Sequence, residues 1–180
     1  VYLADDCDFG SPTVLSLYQP VLEGKPLVIK NAPPHLRIIK LHPQFRFAAT
    51  GNTNGTGDET GLYQGTQLQN MANYSRFAVT YQVDYLPKEI ETSIVRKIVG
   101  FNQEHANQLV DFANDIRKNY HNNQISMPIS TRELIFVAAI MMMSHGNWYK
   151  AFDLGYINRL SPSDQVVARG YVQRKFGIEF

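Results

Sequence analysis

Hydrophobic and polar positions along these 180 residues fall into two regimes. Up to about Pro87 the apolar runs are short and broken by glycine, proline and asparagine, which predicts strands and turns. Beyond it they recur every three to four residues, which predicts amphipathic helices. In the first regime residues 1–4 read as a short strand running into Asp5, Asp6, Cys7 and Asp8. Ser11 caps a helix with Pro12 in its first turn, and Val14, Leu15, Leu17, Tyr18, Val21 and Leu22 keep helical spacing until Gly24 and Pro26 stop it. Residues 27–30 and 36–41 form a hairpin candidate around the Asn31-Ala32-Pro33-Pro34 turn. Residues 45–50 are the next strand, ending in Gly51-Asn52. A loop rich in glycine and threonine follows, then a short helix over 66–74, and residues 78–83 alternate like a strand.

In the second regime Ile90, Ile94, Val95 and Ile98 mark one helix. Ala106, Leu109, Val110, Phe112, Ala113 and Ile116 mark another, which gives way to a polar loop at 118–123. Ser130 or Thr131 caps a third, over 132–144. A fourth helix is expected within 147–159, and a fifth over 161–175 with Ser161 as cap and Pro162 in its first turn. The expectation is an α/β part, 1–87, followed by an all-α part, 88–180.

Composition changes this picture little. Apolar residues make up 44% and charged residues 18%, ordinary for a globular protein, and the formal net charge of +1 gives nucleic acid no support. The length suffices for one core or two small packed units. Cys7 is the single cysteine, so no internal disulfide forms; a reducing, cytoplasmic location is expected. The longest apolar run, 134–143, is about half a membrane span, so no membrane association is expected. The chain opens on Val1 in what reads as a core strand, with no basic leader, so a cut through a domain is expected there.

The chemistry gathers at strand ends. An acid closing a buried strand can hold a Mg²⁺-bound water, and a neighbouring carboxylate can polarise an attacking water, so Asp5 and Asp6 are candidates. Asn52 places a neutral amide at the carboxyl edge of a sheet, where open α/β folds gather ligands. Arg76, on the next element, can meet phosphate charge. Arg132 at a helix start opposes the macrodipole and points to a nearby anion or carboxylate, Glu133 among them. Each also has a plain reading: turn acids, an asparagine tolerating a left-handed turn before Gly55 and Gly57, a solvated arginine.

Several chemistries lack their parts. A phosphate cradle needs GxxxxGK[ST], whereas the only Gly-Lys, Gly24-Lys25, has Gln19 at the first glycine position and Pro26 after the lysine. Gly55, Gly57 and Gly61 do not make a dinucleotide fingerprint. His35, His42, His105, His121 and His145 show no paired ligand spacing, and Cys7 has no histidine partner. Met141, Met142 and Met143 read as helix core or as an adaptable partner surface.

Together these segments resemble a known family. DDCDFGSPTVLSLYQPVLE, opening at Asp5, is similar to the Walker B motif and following helix of AAA+ ATPases. FAATGN is similar to their sensor 1 strand, YSRF to their arginine-finger motif and ISTREL to sensor 2. The resemblance is to the MoxR branch, and within it to CobS-like ATPases, the group of the cobaltochelatase subunit CobS, whose members have a counterpart of ATGNTNGTGDETGLYQGTQ. It covers nearly the whole chain and is densest from Asp5 to Ile94.

The resemblance implies a partial P-loop NTPase core over 1–87 and a helical lid over 88–180. It implies ATP and Mg²⁺ as cofactors, with Asp5 holding Mg²⁺ through water and Asp6 activating the attacking water. Asp6 departs from the usual glutamate by about one methylene. Asn52 would sense the γ-phosphate, Arg132 would contact the nucleotide in cis, and Arg76 would reach a neighbour's nucleotide. Asp8 matches an acid of the group, with a turn or subunit contact as its expected role. The resemblance further implies a homo-oligomeric, hexameric ring that remodels a protein partner such as a chelatase-type subunit. The P-loop would precede Val1, so the isolated chain is expected to be inactive. The alternatives are a truncated, non-catalytic module that docks on a partner, and a phage-type DNA-processing ATPase.

Overall fold

The computed structural model describes residues 1–179. The chain divides into two compact units, Val1–Gln82 and Val83–Phe180.

In the first unit β1 (Tyr2–Ala4) is followed by two short helices, α1 (Pro12–Ser16) and α2 (Gln19–Leu22). Ser11 caps α1 by accepting from Val14 N at 3.3 Å. The single helix expected through Leu22 is split, because Pro20 has no N–H to give the Ser16 carbonyl and instead sits in the first turn of a new helix. β2 (Leu27–Val28) pairs antiparallel with β3 (Ile38–Ile39), a hairpin shorter than its apolar runs. β4 (Phe47–Ala49) pairs with β1 in parallel, so the strands form two separate two-stranded sheets.

Two expected elements change. The helix expected over 66–74 shrinks to α3 (Met71–Tyr74), capped by Asn70. Its intended first turn is diverted: Gln67 N donates to the Asp8 carbonyl at 2.8 Å and Gln69 N to the Gly55 carbonyl at 2.9 Å. Residues 78–83 are not a strand. Their alternation is real, but Val79, Tyr81 and Val83 stand more than 80% exposed, and no ladder among the described residues pairs with them. Tyr2, Tyr18, Phe47 and Phe77 form a chain of ring contacts 5.2–6.0 Å apart that ties the β1–β4 pair to the helices.

The second unit is helical: α4 (Lys88–Val99), α5 (Gln103–His121), α6 (Thr131–Met143), α7 (Trp148–Gly155) and α8 (Pro162–Phe176). Four of the helix starts have a local cause. Asn102 accepts from His105 N at 2.7 Å, Asn147 from Lys150 N at 2.9 Å and Ser161 from Asp164 N at 3.2 Å, while Ser130 and Glu133 form a reciprocal capping box. α5 runs through the expected polar loop as far as His121, because Asn119 satisfies its amide on the Asp115 carbonyl and the Tyr171 hydroxyl. One cluster fills the interior, with Leu109, Phe112 and Ile116 of α5 facing Leu134 and Val137 of α6 and Phe152 of α7. Of the three methionines closing α6, Met141 joins this core, while Met142 and Met143 are exposed. No helix among the described residues is long and apolar enough to cross a membrane.

The α6–α7 contact depends on a missing side chain. A Cβ on Gly155 would lie 2.7 Å from Val137 Cγ2 and 3.1 Å from the Val137 backbone. Gly155→Ala is expected to destabilise the chain by about 1–3 kcal/mol, the usual cost of overpacking. A lower urea midpoint at constant slope is the signature; an unchanged midpoint would mean the two helices separate freely.

Candidate functional site

Because β1 and β4 run parallel with Ala4 opposite Ala49, their carboxyl ends arrive together. Backbone bonds continue the alignment: Thr50 N donates to the Ala4 carbonyl at 3.0 Å and Cys7 N to the Thr50 carbonyl at 2.8 Å. Thr50 joins the two strand ends through its side chain as well. Its hydroxyl donates to Asp5 Oδ1 at 2.5 Å and accepts from Asp6 N at 2.9 Å. Asp5 is thereby oriented while remaining exposed. Asp6 is also exposed and holds a left-handed backbone, φ 48°, uncommon for a residue with a side chain. Asn52, two residues beyond Thr50, is exposed as well. The structure therefore brings Asp5, Asp6 and Asn52 to one edge.

Asp8 faces inward rather than outward. It is fully buried, and its Oδ2 accepts from Asn52 N at 2.7 Å, Thr53 N at 2.8 Å and Thr53 Oγ1 at 3.1 Å. Its Oδ1 has no hydrogen-bond partner among the described residues. Gln69, also buried, donates to the Gly10 carbonyl at 2.7 Å and so anchors the far end of the glycine-rich loop beside the same turn. At Gly55, φ +79°, a Cβ would meet the Tyr74 ring at 2.8 Å, so both backbone and packing require glycine. Within the loop, partial burial works to raise Asp58, but donors from Thr60, Tyr63 and Gly61 outweigh it and hold the carboxyl below its usual range.

Burial pushes the Cys7 thiol up, and Asp8 and Asp6 add to this against the Tyr74 hydroxyl. Tyr74 is itself raised to about 12 by burial and by these neighbours. A raised thiol has little thiolate character at neutral pH, which disfavours Cys7 as a nucleophile.

Arg76 lies elsewhere. It borders a cavity of about 410 Å³ beside Phe45 and Arg46, at the amino end of β4, whereas Asp5 and Asn52 stand at the carboxyl end. Its Nε donates to Glu23 Oε1 at 2.7 Å, and a second nitrogen donates to the Ala72 carbonyl. Lys25 and Arg76 together hold the Glu23 carboxyl below its usual range. Arg132 belongs to the second unit, exposed in the first turn of α6. Glu133 is not its partner: that carboxylate is taken by the Ser130 N–H and hydroxyl and faces Arg159 at 3.4 Å.

Comparison with known proteins bears on both units. The CbbQ/NirQ/NorQ C-terminal family matches residues 91–170, most of the helical unit. The aerobic cobaltochelatase subunit CobS of Sinorhizobium sp is 34% identical over 182 aligned residues, covering 97% of this chain and 53% of that protein. The chain belongs to the CobS-like, MoxR-type AAA+ family. It spans about half the length of this CobS relative. The CobS match covers nearly the whole chain, whereas the stretch matched to the C-terminal family contains Arg132 and leaves out Asp5, Asp6, Asn52 and Arg76.

Sequence reasoning does not single out Thr50 or Glu23, and it gives Asp8 only a turn or a subunit contact. Thr50 carries a signal, as the last residue of the strand before Gly51-Asn52. The bonds of Asp8 and Glu23 leave none, because their partners lie 44 and 53 residues away.

Proposed function

We propose that this chain supplies the hydrolytic and sensing parts of an ATP-hydrolysing AAA+ protein, with the phosphate cradle contributed by sequence preceding Val1. In this reading residues 1–87 are the second half of the nucleotide-binding core and 88–180 the lid. The observation that carries it is the convergence of Asp5, Asp6 and Asn52, all solvent-accessible, on the carboxyl edge of one parallel strand pair. That edge is where α/β proteins place their ligands.

The donor set suits Mg²⁺ and ATP. No three His, Cys, Asp or Glu side chains among the described residues are grouped to hold a metal. Mg²⁺ needs no such cage, since it keeps several waters and takes one or two carboxylates plus phosphate oxygens. When bound, Mg²⁺ would offset charge on the phosphates. Asp5, steadied by the Thr50 hydroxyl, would hold it through water, and Asp6 would polarise the attacking water. Asn52 donates its amide to the γ-phosphate or that water without adding charge. Arg132 orients the lid on the nucleotide of its own subunit, and Arg76 reaches that of a neighbour.

Hydrolysis between subunits calls for a homo-oligomeric ring, which we place at six members in the cytoplasm. Its output is the remodelling of a protein partner, as the chelatase-subunit name of the CobS relative suggests.

ATP turnover by the intact protein, measured with Asp6→Asn beside wild type, tests the assignment. Loss of the base is expected to lower turnover by about 10²–10⁴-fold while nucleotide affinity stays the same. Equal turnover in the variant refutes the role of Asp6. A wild-type protein that neither binds nor hydrolyses ATP would instead favour the docking module, consistent with an aspartate where the family carries glutamate.

A further inference from the structure

We infer that Asp8 is a positioning residue, whose buried carboxylate fixes where Asn52 stands relative to Asp5 and Asp6. The inference deepens the ATPase reading and rests on it for the role of Asn52.

A fully buried carboxylate is costly unless its oxygens are matched by donors. Asp8 meets this condition on one side only. Oδ2 takes the consecutive backbone N–H groups of Asn52 and Thr53 and the Thr53 hydroxyl, all within 3.1 Å. Oδ1 is buried with no partner among the described residues. The turn at Asn52 and Thr53 is therefore held on a single carboxylate oxygen that accepts from three donors.

The peg itself is fixed. The Asp8 carbonyl accepts from Gln67 N at 2.8 Å, and the Cys7 N–H before it is bonded to the Thr50 carbonyl. Room for the carboxylate comes from Gly51, where a Cβ would lie 3.2 Å from Asp8 Cγ and 3.3 Å from Oδ1. Asp8 also follows Asp5 and Asp6 closely in the chain. One rigid turn thus carries the two catalytic acids on its exposed side and holds the Asn52 turn from its buried side. A shift of the acids moves the sensing amide with them.

This gives Asp8 an effect that is felt through Asn52 and not through the nucleotide. Asp8→Ala in the intact protein is expected to lower kcat about 10²-fold, the cost of displacing a catalytic group by about 1 Å, with KM for ATP changed only a few-fold. Added to Asn52→Ala, the same change should lower kcat little further. Asp8→Asn, which still offers one oxygen to the same donors, should recover most of the rate. Gly51→Ala keeps the carboxylate but crowds it, and should lose rate in the same direction to a smaller extent.

A second readout needs no turnover. Amide hydrogen exchange in this chain should show protection at Asn52 and Thr53 that falls at least about tenfold in Asp8→Ala, whereas Thr50 and the α5 amides keep theirs. An equal loss of kcat with and without Asn52, or equal loss of protection at Thr50, overturns the inference in favour of a general structural role. If the wild-type protein shows no ATP turnover, the ATPase reading falls, and the exchange pattern alone decides whether Asp8 positions the turn.

Discussion

Arg76→Ala in the intact protein is expected to reduce ATP turnover by about 10³–10⁵-fold, the range that arginine fingers contribute to phosphoryl transfer. The size reflects where the charge is felt, since a guanidinium that offsets charge only as the phosphoryl group leaves acts on the transition state. The position of the side chain gives the prediction its second part. Arg76 flanks the amino end of β4, and the acids lie past its carboxyl end, a separation that suits the proposed action on a neighbour's nucleotide. Mixing Arg76→Ala with Asp5→Asn subunits should then restore part of the activity, since some interfaces pair an intact finger with an intact acid. Unchanged turnover in Arg76→Ala removes the finger assignment, and no recovery at any mixing ratio moves its action into the same subunit. In this chain the guanidinium is paired with Glu23 at 2.7 Å, a bond it would exchange for phosphate on reaching a neighbour's nucleotide.

Arg117→Met is expected to destabilise the helical unit by about 3–5 kcal/mol, the cost of leaving one member of a buried ion pair uncompensated. Arg117 is 5% exposed and Glu91 not at all, and two guanidinium nitrogens meet the two carboxylate oxygens at 2.7 and 2.8 Å. The pair also organises its surroundings. Arg117 Nε donates to the Ile129 carbonyl at 2.9 Å, the Thr131 hydroxyl donates to Glu91 at 2.6 Å, and the Tyr85 ring lies 3.8 Å from the guanidinium carbon. α4, α5 and the start of α6 are thus pinned at one point. Chemical denaturation should show the loss, and adding Glu91→Gln should return a substantial part of it. A drop below about 1 kcal/mol would mean that Glu91 finds water once Arg117 is gone.

The helices of the second unit were legible because each carries its own instructions. Leu109, Phe112, Ala113 and Ile116 state the period, and Ser130 and Ser161 state two of the starts, while the caps at Asn102 and Asn147 emerge only in the structure. The first unit was less legible because its local signals compete with distant partners. Residues 66–70 have helical character, yet Gln67 and Gln69 spend their N–H groups on Asp8 and Gly55. Residues 78–83 alternate as a strand should, but alternation does not supply the neighbour that a ladder needs. The strand ends that gather Asp5, Asp6 and Asn52 could be read from apolar runs stopping at polar residues. What holds them, the Thr50 hydroxyl and the Asp8 carboxylate, arises only when segments more than 40 residues apart meet.

Among the buried apolar side chains of the described residues, only Val21 lies in the first unit; the rest form the helical cluster. Denaturant slope and heat-capacity change both scale with the surface exposed on unfolding. A melting curve of this chain therefore watches mainly the half without Asp5 and Asp6. Variants near Asp5 or Asn52 can lose their geometry while the melt stays unmoved, so an ordinary midpoint is no certificate of an intact site.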